Sequence, residues 1–214
     1  MTPSKSFIAV SLASALLAAC SQGAAPEDRP IEAAAASAVG ERFYDRDSFT
    51  IEYQVSGDAS GTIVEHARNW GKQRAEIQDT QAVFFGVATV QKSRKVIDGA
   101  QTYNFDDVNG TLVSGPTPFY QEFVDASRGA TGVEIGKSIL RAMGAVETGE
   151  TGAFAGESCA FWEISRLATR ACITDWGGTL YSAARIGQLT LERTAIAVRI
   201  GDGGPDAAFS TAAP

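Results

Sequence analysis

Short segments that alternate between apolar and polar residues, separated by glycine-containing turns, restrict the fold of this chain more than any other feature. Ile51, Tyr53 and Val55 alternate with polar residues, which is the period of two expected of a half-buried strand. The Asp98–Gly99 pair, between two further strand-like segments, is a strong hairpin signal. Consecutive strands joined by such short turns predict an antiparallel meander. The expected fold class is therefore mainly β (α+β), with a single sheet.

Two helices and further strands complete the predicted domain. The first helix is expected after Thr117, with Pro118 in its first turn and Gly129 at its end. The second is expected over 132–143, and each helix has one apolar stripe that packing on the sheet explains. From Gly201 onward the composition predicts a flexible tail over 201–214. The other predicted strands are 62–68, 72–78, 83–90, 95–97, 101–105, 158–164, 169–174, 179–184 and 189–200.

The amino terminus has the organisation of a bacterial signal peptide. Lys5 supplies a basic residue, and residues 7–17 form an apolar stretch that is too short to span a bilayer as a helix. The sequence Leu17-Ala18-Ala19-Cys20 resembles the lipobox that bacterial lipoprotein signal peptidase recognises. The resemblance implies a signal peptide over 1–19 and lipidation of Cys20. An ordinary signal peptide followed by a chance cysteine is the alternative.

The lipoprotein resemblance also predicts where the protein lies. Ser21, rather than aspartate, follows the lipidated cysteine, which implies sorting to the outer membrane. Two or three acyl chains on Cys20 would anchor the protein stably. Residues 20–40 are rich in Ala, Ser, Gly and Pro and are expected to form a flexible tether to a domain over 41–200. The predicted localisation is the periplasmic face of the outer membrane.

The charge of the chain argues against nucleic acid as a partner. The formal net charge is −7, which also makes charge-driven binding to anionic lipid headgroups unfavourable. No second apolar run approaches the roughly 18 residues that a spanning helix needs. Membrane attachment is therefore predicted to occur through the lipid anchor.

Cysteine usage predicts one disulfide bond. Of the three cysteines, Cys20 is assigned to the anchor, which leaves Cys159 and Cys172 as a pair in a chain bound for an oxidising compartment. A hairpin with its tip near Ser165 would place these two cysteines opposite each other. A redox-active or metal-binding pair is the alternative. That pair would need CxxC spacing or further ligands, and His66 is the single histidine.

The sequence shows no recognisable catalytic motif. Hydrolytic chemistry needs a nucleophile with a base, paired carboxylates or a metal ion. His66 lies within a predicted strand, where a packed or solvated position explains it. We therefore expect no enzymatic activity, no metal and no cofactor. An enzyme that depends on His66 is the alternative hypothesis.

Strand and turn patterns along most of residues 49–200 carry a family resemblance. The segments are 51–57, 61–62, 71–76 and 98–106, with a second set formed by 155–159, Cys172 and 176–178. Together they resemble the LolA/LolB-like superfamily of periplasmic lipoprotein carriers and receptors, including members of uncharacterised function. The resemblance implies a sheet curled into a half-barrel, two helices covering its concave face, and an apolar cavity between them that binds acyl chains.

The resemblance assigns candidate ligand-binding residues to this cavity. Its floor would be Ile51, Tyr53 and Val55, and its lid would be Phe119, Tyr120, Phe123, Val124, Ile135, Ile139 and Met143. The competing interpretation is that the same residues fill a dry core. The first functional hypothesis is a non-enzymatic lipoprotein that binds a lipid or another apolar molecule. The alternative is an accessory lipoprotein with a filled core that docks on a protein complex of the cell envelope.

Overall fold

The computed structural model describes residues 42–84, 87–126 and 130–212. The predicted signal peptide, the lipidated Cys20 and the tether over 20–40 lie outside the described residues. The strands are β1 (Phe49–Gly57), β2 (Ala59–Arg68), β3 (Gln73–Phe84), β4 (Val87–Asp98), β5 (Gln101–Asp106), β6 (Thr111–Pro116), β7 (Val146–Phe154), β8 (Glu157–Ile164), β9 (Thr169–Ile173), β10 (Thr179–Ile186) and β11 (Leu189–Ile200). The helices are α1 (Tyr120–Ala126) and α2 (Gly132–Ala142).

All eleven strands belong to one antiparallel sheet, in the order β6-β5-β4-β3-β2-β1-β11-β10-β9-β8-β7. β1 lies in the middle and pairs with β2 on one side and β11 on the other, so the first and last strands join the two halves. Within the described ranges, β6 and β7 are the edge strands and do not pair with each other, so the sheet is not closed into a barrel. The predicted mainly β fold, one antiparallel sheet with two helices, is confirmed.

β1 has the burial pattern that its sequence predicts. Phe49, Ile51 and Tyr53 have no exposed surface, whereas Gln54 on the opposite face is exposed. β-Branched and aromatic side chains pack well on a pleated surface, and full burial of one such side chain contributes roughly 1.5–3 kcal/mol. The main core therefore lies on this face of β1.

Asp98 and Gly99 lie at the turn of the predicted β4–β5 hairpin. Asp98 pairs with Gln101 where β4 ends and β5 begins, which leaves a two-residue turn. Gly99 in this turn has a φ of +53°, in the left-handed region that glycine adopts without steric cost.

The segment 83–90 differs from the prediction of a single strand. Val83 lies near the end of β3 and Val87 begins β4, and these two strands pair with each other along their whole length. The chain therefore reverses direction within the segment. Val83 is 54% exposed and Val87 is 65% exposed, so this end of the hairpin lies outside the core. Because the sequence is apolar on both sides of the reversal, its pattern contains no sign of the turn.

The structure also contains two strands that the sequence does not predict. β6 and β7 are the edge strands, and most of their residues are exposed. Strict alternation arises only where one face of a strand is buried, and these two strands lack such a face. The sequence-based expectation that strands resume at Gly156 is therefore wrong, because β7 begins ten residues earlier at Val146.

α1 begins two residues later than the sequence predicts. It begins at Tyr120, directly after Phe119, whose φ is +58°. Thr117 does not cap the helix, because its hydroxyl donates to the carbonyl oxygen of Gly99 at 2.9 Å. Thr117 instead fixes the approach to α1 against the β4–β5 turn.

α2 starts at the predicted residue and ends one residue before the predicted end. A capping box begins it: the Thr131 side chain accepts from the backbone N–H of Glu134, and the Glu134 carboxylate accepts from that of Thr131. Neither helix, in the part of the chain that the structure describes, has the length and apolar composition needed to cross a membrane.

The segment after Gly201 is packed over its described residues, unlike the flexible tail that we predict from sequence. A 3-10 turn at Asp206–Phe209 places Ala208, which is 3% exposed, against Ala75 and Val96 of the sheet. The prediction rested on a composition rich in glycine, proline and alanine. Such a composition lowers local order but does not exclude contacts with a preformed surface.

Candidate functional site

The predicted floor of the ligand cavity lies in the main core. Ile51 and Tyr53 have no exposed surface, and Val55 is 3% exposed. They pack in one cluster with Trp176 and Leu180, which also have almost no exposed surface. The space above the floor is therefore occupied by the protein's own side chains.

Aromatic side chains from two loops cover this part of the sheet. The ring of Tyr44 meets the ring of Phe49 edge-on at 4.8 Å, and the ring of Trp176 lies 4.9 Å from that of Phe49. The backbone N–H of Asp45 donates to the carbonyl oxygen of Trp176 at 3.0 Å, which joins the two loops. Edge-on and tilted ring pairs at these distances are favourable beyond their buried area.

The same sheet face becomes charged away from β1. The register places Glu65 of β2 beside Ile51, then Glu76 of β3 beside Glu65, then Lys95 of β4 beside Glu76. Arg193 of β11 approaches from the other side of β1, with its Nη1 atom 3.5 Å from the Glu76 carboxylate. We call the following set the polar cluster: Tyr44, Tyr53, Glu65, Arg74, Glu76, Lys95 and Arg193.

Two tyrosines connect the polar cluster to the apolar floor. The hydroxyl oxygens of Tyr44 and Tyr53 each lie 3.2 Å from a different carboxylate oxygen of Glu65. The Tyr53 hydroxyl also donates to the carbonyl oxygen of Thr179 at 2.7 Å. The guanidinium of Arg193 lies 4.6 Å from the centre of the Tyr53 ring, a cation–π distance.

Burial shifts the proton equilibria of the polar cluster. Burial, and then the charge of Glu65, raise the pKa of Tyr44 to about 12, and the same two causes raise the pKa of Tyr53. Burial also raises the pKa of Glu76, against the opposing charge of Arg193. Burial lowers the pKa of Lys95. All four shifts disfavour the charged form, as expected where water is largely excluded.

These charges limit what this face can bind. An acyl chain laid across the sheet from the floor would meet Glu65 and Glu76 within two strands. Removing such carboxylates from water without replacing their hydrogen bonds costs several kcal/mol. The apolar floor is therefore narrow as well as filled.

The lid residues on α1 contact a different part of the molecule. The ring of Phe123 stacks on the ring of Phe43 at 4.1 Å with an interplanar angle of 9°, and the Tyr120 ring lies 6.1 Å from it. Val124 is half-buried and Phe119 is 43% exposed. The α1 stripe therefore packs on Phe43 and leaves one ring open to solvent.

The lid residues on α2 differ in burial. Ile135 is buried and Ile139 is half-buried. Met143 packs on the cluster of Trp162 and Ile164 in β8, which is separate from the cluster that contains the predicted floor. Whether any of the floor or lid residues binds a ligand stays a prediction.

The predicted disulfide bond is present. Cys159 and Cys172 are bonded, with their Cα atoms 5.3 Å apart. Phe161, rather than Cys159, lies directly opposite Cys172, so the bond runs diagonally between β8 and β9. The pairing is confirmed, with a register that differs by two residues from the expected one.

A surface hollow of about 500 Å³ lies beside the disulfide. Its lining includes Arg46, Lys137, Glu157 and Asp175, and it contains none of the predicted floor or lid residues. Ligand pockets of this size are usually lined mainly by apolar groups. This hollow has charges of both signs and does not match the predicted cavity.

Exposed apolar side chains lie at one corner of the sheet, at the end of the β3–β4 hairpin and in the β5–β6 turn. The backbone N–H of Asp107 donates to the carbonyl oxygen of Lys92 at 2.9 Å, which ties the start of the β5–β6 turn to β4. We call the following set the apolar corner: Val83, Val87, Val90 and Val108. Each member is at least 48% exposed.

Sequence reasoning missed the polar cluster, although a signal was present. Glu65 shares the inward face of β2 with the buried residues Ile63 and Ala67. A charged residue at an inward position of a predicted strand marks either a partner or a polar surface. Among the described residues, no group of three or more His, Cys, Asp or Glu side chains could hold a metal ion.

Comparison with solved structures finds distant similarities. No family model matches the sequence, and no curated protein matches it. An uncharacterized conserved protein from Thermus thermophilus aligns over 74% of this chain and 81% of its own, with 9% identity and a TM-score of 0.46. PNGF-II aligns over 77% of this chain and 30% of its own, with 12% identity and a TM-score of 0.43. LprF from Mycobacterium bovis aligns over 74% of this chain and 87% of its own, with 12% identity and a TM-score of 0.32.

These similarities are too distant to assign a family or a function. The resemblance to the LolA/LolB-like superfamily therefore stays a prediction from the sequence.

Proposed function

We propose that this protein is a lipid-anchored, non-enzymatic interaction protein of the cell envelope, with a filled core. This is the alternative that the sequence left open beside an apolar-ligand carrier. The observation that carries it is the burial of Ile51, Tyr53 and Val55 in one cluster with Tyr44 and Trp176. A protein that binds no ligand in its interior acts through its surface.

The apolar corner is the surface that supports this role best. Val83 and Val87, at the end of the β3–β4 hairpin, are 54% and 65% exposed. Exposed apolar side chains that lie together mark interaction surfaces. The uncharged strand β6 borders the corner with a free edge, whereas the other edge strand, β7, contains Glu147 and Glu150 and an irregular register. Charges and irregularities protect edges from pairing, so β6 is the less protected edge.

The position of the corner suits a partner held away from the anchor. The backbone N–H of Phe43 donates to the carbonyl oxygen of Trp70, at the turn between β2 and β3. The corner lies at the other end of β3, whose 12 residues span about 36 Å. The chain that leads from the proposed lipid at Cys20 therefore reaches the domain at the end opposite the corner. A protein partner with an apolar surface is the occupant that this arrangement favours.

The anchor itself is tested by metabolic labelling. Full-length protein expressed with labelled palmitate should carry the label and partition with the outer membrane. The Cys20→Ala variant should lose both properties. Label retained in that variant would contradict lipidation at Cys20.

The filled core is tested by native mass spectrometry. The mature chain with Cys20→Ser, purified after mild extraction, should appear as one ligand-free mass. A stoichiometric acyl-bearing species would instead support the hypothesis of an apolar-ligand carrier.

The contact surface is tested by site-specific photo-cross-linking in cells. A cross-linking amino acid at Val83 or Val87 should give a discrete protein adduct. The same group at Ser165, an exposed turn residue at the same end of the other half of the sheet, should give none. Equal adducts at all three positions, or none at Val83 and Val87, would contradict docking at the corner.

A further inference from the structure

The last described segment of the chain crosses the face of β2–β4 that lies opposite the polar cluster. We call residues 202–212 the C-terminal strap. Arg68 of β2 holds its first half: Nε donates to the carbonyl oxygen of Gly203 at 3.0 Å, Nη2 donates to that of Gly204, and Nη1 lies 2.7 Å from the Asp206 carboxylate. One arginine thus binds three points of the strap.

A second arginine and an apolar contact hold the other half. Arg94 of β4 donates to the carbonyl oxygens of Ala207 at 3.1 Å and Ser210 at 2.8 Å. Ala208 is buried against Ala75, Val96 and Phe105, with Ile77 and Tyr103 at the margin. The strap therefore covers an apolar surface that would otherwise face solvent.

His66 lies beneath the strap at the point where the strap begins. It is 6% exposed, and a Cβ atom added to Gly204 would overlap its imidazole ring. Thr50 bridges the two elements, with its hydroxyl oxygen 2.8 Å from His66 Nδ1 and 2.8 Å from the carbonyl oxygen of Asp202. The first contact belongs to the sheet and the second to the strap.

The bridge fixes the tautomer of His66. A carbonyl oxygen can only accept, so the single Thr50 hydroxyl proton goes to Asp202. His66 Nδ1 must then carry a proton and donate to the Thr50 oxygen, which leaves Nε2 as the site for any further proton. Within the described ranges, Nε2 has no hydrogen-bond partner that would accept from it once protonated.

We propose that the C-terminal strap is an acid-released cover, with His66 as the proton-binding group that weakens its docking. Protonation places a positive charge and an unpaired N–H in a buried site under Gly204. The charge is relieved when the strap lifts and water reaches the ring. Release uncovers the apolar surface of Ala75, Val96 and Phe105. This goes beyond the proposed function and depends neither on the lipid anchor nor on the apolar corner.

The charges around His66 come from each element packed against it. Asp202 of the strap and Glu52 of β1 favour the protonated ring, whereas Arg199 of β11 and Arg68 of β2 disfavour it. Burial is the largest influence, and the net result is a lowered pKa of His66. The closed state therefore binds the proton less well than the open state, so docking weakens as pH falls below about 6.5.

The chain has a suitable hinge at the start of the strap. Gly201 has a φ of +82° and Gly204 a φ of +76°, and Gly203 and Pro205 lie beside them. Glycine can change backbone direction with the smallest steric penalty. Lifting the strap requires no change in any strand of the sheet.

Hydrogen exchange measured by mass spectrometry on the mature chain with Cys20→Ser tests the proposal. Protection of amides 202–212, corrected for the intrinsic pH dependence, should fall on the order of threefold or more between about pH 7.5 and about pH 5. Amides of 158–173, which the disulfide holds in β8 and β9, should keep their protection. Equal protection of the strap at both pH values, or an equal loss in both segments, would overturn the proposal.

Two variants separate His66 from general acid effects. In His66→Asn, the amide can still donate to Thr50 but cannot titrate, so the strap should stay protected at both pH values. In Phe209→Ala, which removes the ring that lies 4.4 Å from the Arg68 guanidinium, protection should fall at both pH values. A pH-dependent loss in His66→Asn as large as that in the unmodified protein would overturn the role of His66.

Discussion

Two parts of one sheet face behave differently in this protein. Around β1, Ile51 and Tyr53 have no exposed surface and pack beneath aromatic rings. On β3 and β4, the same face carries Glu76 and Lys95, which are half-buried and charged.

What lies above each part explains the difference. Tyr44 and Trp176 cover β1 and exclude water from it. Over β3, the guanidinium of Arg193 approaches the Glu76 carboxylate to 3.5 Å. A half-open sheet thus becomes a core only where the chain supplies an apolar cover, and becomes a polar surface elsewhere.

The largest effect should follow removal of the floor. Ile51→Ala should lower the free energy of unfolding by roughly 2–5 kcal/mol, because the deleted atoms leave a cavity in a filled core. The matched control is Ile196→Ala, because Ile196 is 55% exposed at the bulge in β11. This variant should lower the free energy of unfolding by less than about 0.5 kcal/mol. Urea denaturation of both variants measures the difference, and equal effects would contradict a filled floor.

The disulfide should contribute the next largest effect. Replacing both Cys159 and Cys172 by alanine removes a bond between residues that are 13 positions apart in the sequence. The free energy of unfolding should fall by about 3 kcal/mol. Because the bond joins β8 to β9, the loss should be accompanied by faster hydrogen exchange in those strands. Unchanged stability would indicate that packing around Cys172 alone holds this hairpin.

Breaking the ion pair of the polar cluster should have a smaller effect. Arg193→Met keeps an apolar stem over Tyr53 but removes the guanidinium from Glu76, which lies opposite Glu65. The remaining charge of Lys95 compensates in part, so the free energy of unfolding should fall by about 2 kcal/mol. The control is Arg185→Met, at an exposed position near the end of β10, which should change the free energy of unfolding by less than about 0.5 kcal/mol. If Arg193→Met instead raised the free energy of unfolding, an apolar side chain could cover the polar cluster as well as the guanidinium does, which would contradict a stabilising ion pair.

The smallest effect should be the dependence of the free energy of unfolding on pH. The pKa of Glu76 is raised in the folded state, so its contribution to stability is present below about pH 4.5 and is lost as pH rises through the folded value. Relative to Glu76→Gln, the unmodified protein should therefore lose stability on going from about pH 4 to about pH 7. Urea midpoints at several pH values would measure this, and the opposite slope would contradict burial of the carboxyl group.

The strands that bury a face could be predicted from the sequence, because burial imposes alternation. This holds for Ile51 to Val55, and the two-residue turn at Gly99 follows from glycine's access to positive φ. The exposed strands β6 and β7 could not be predicted, because no buried face constrains their residues. The change of chain direction within 83–90 could not be predicted for the same reason.

The candidate site was less predictable than the fold. Inward positions could be assigned from strand parity, but their cover depends on contacts between distant parts of the chain, such as Tyr44 with Trp176. The packed strap shows the same limit, because Ala208 gains its burial only from a surface formed by three strands. The disulfide was predictable because elimination among three cysteines left one pair.

Titration with a fluorescent long-chain fatty-acid probe tests most directly whether the floor around Ile51 and Tyr53 is filled. With the mature Cys20→Ser chain, the filled floor predicts no saturable binding and no change on adding unlabelled fatty acid. Saturable one-to-one binding that unlabelled fatty acid displaces, and that Val55→Asp abolishes without unfolding the protein, would contradict a filled core.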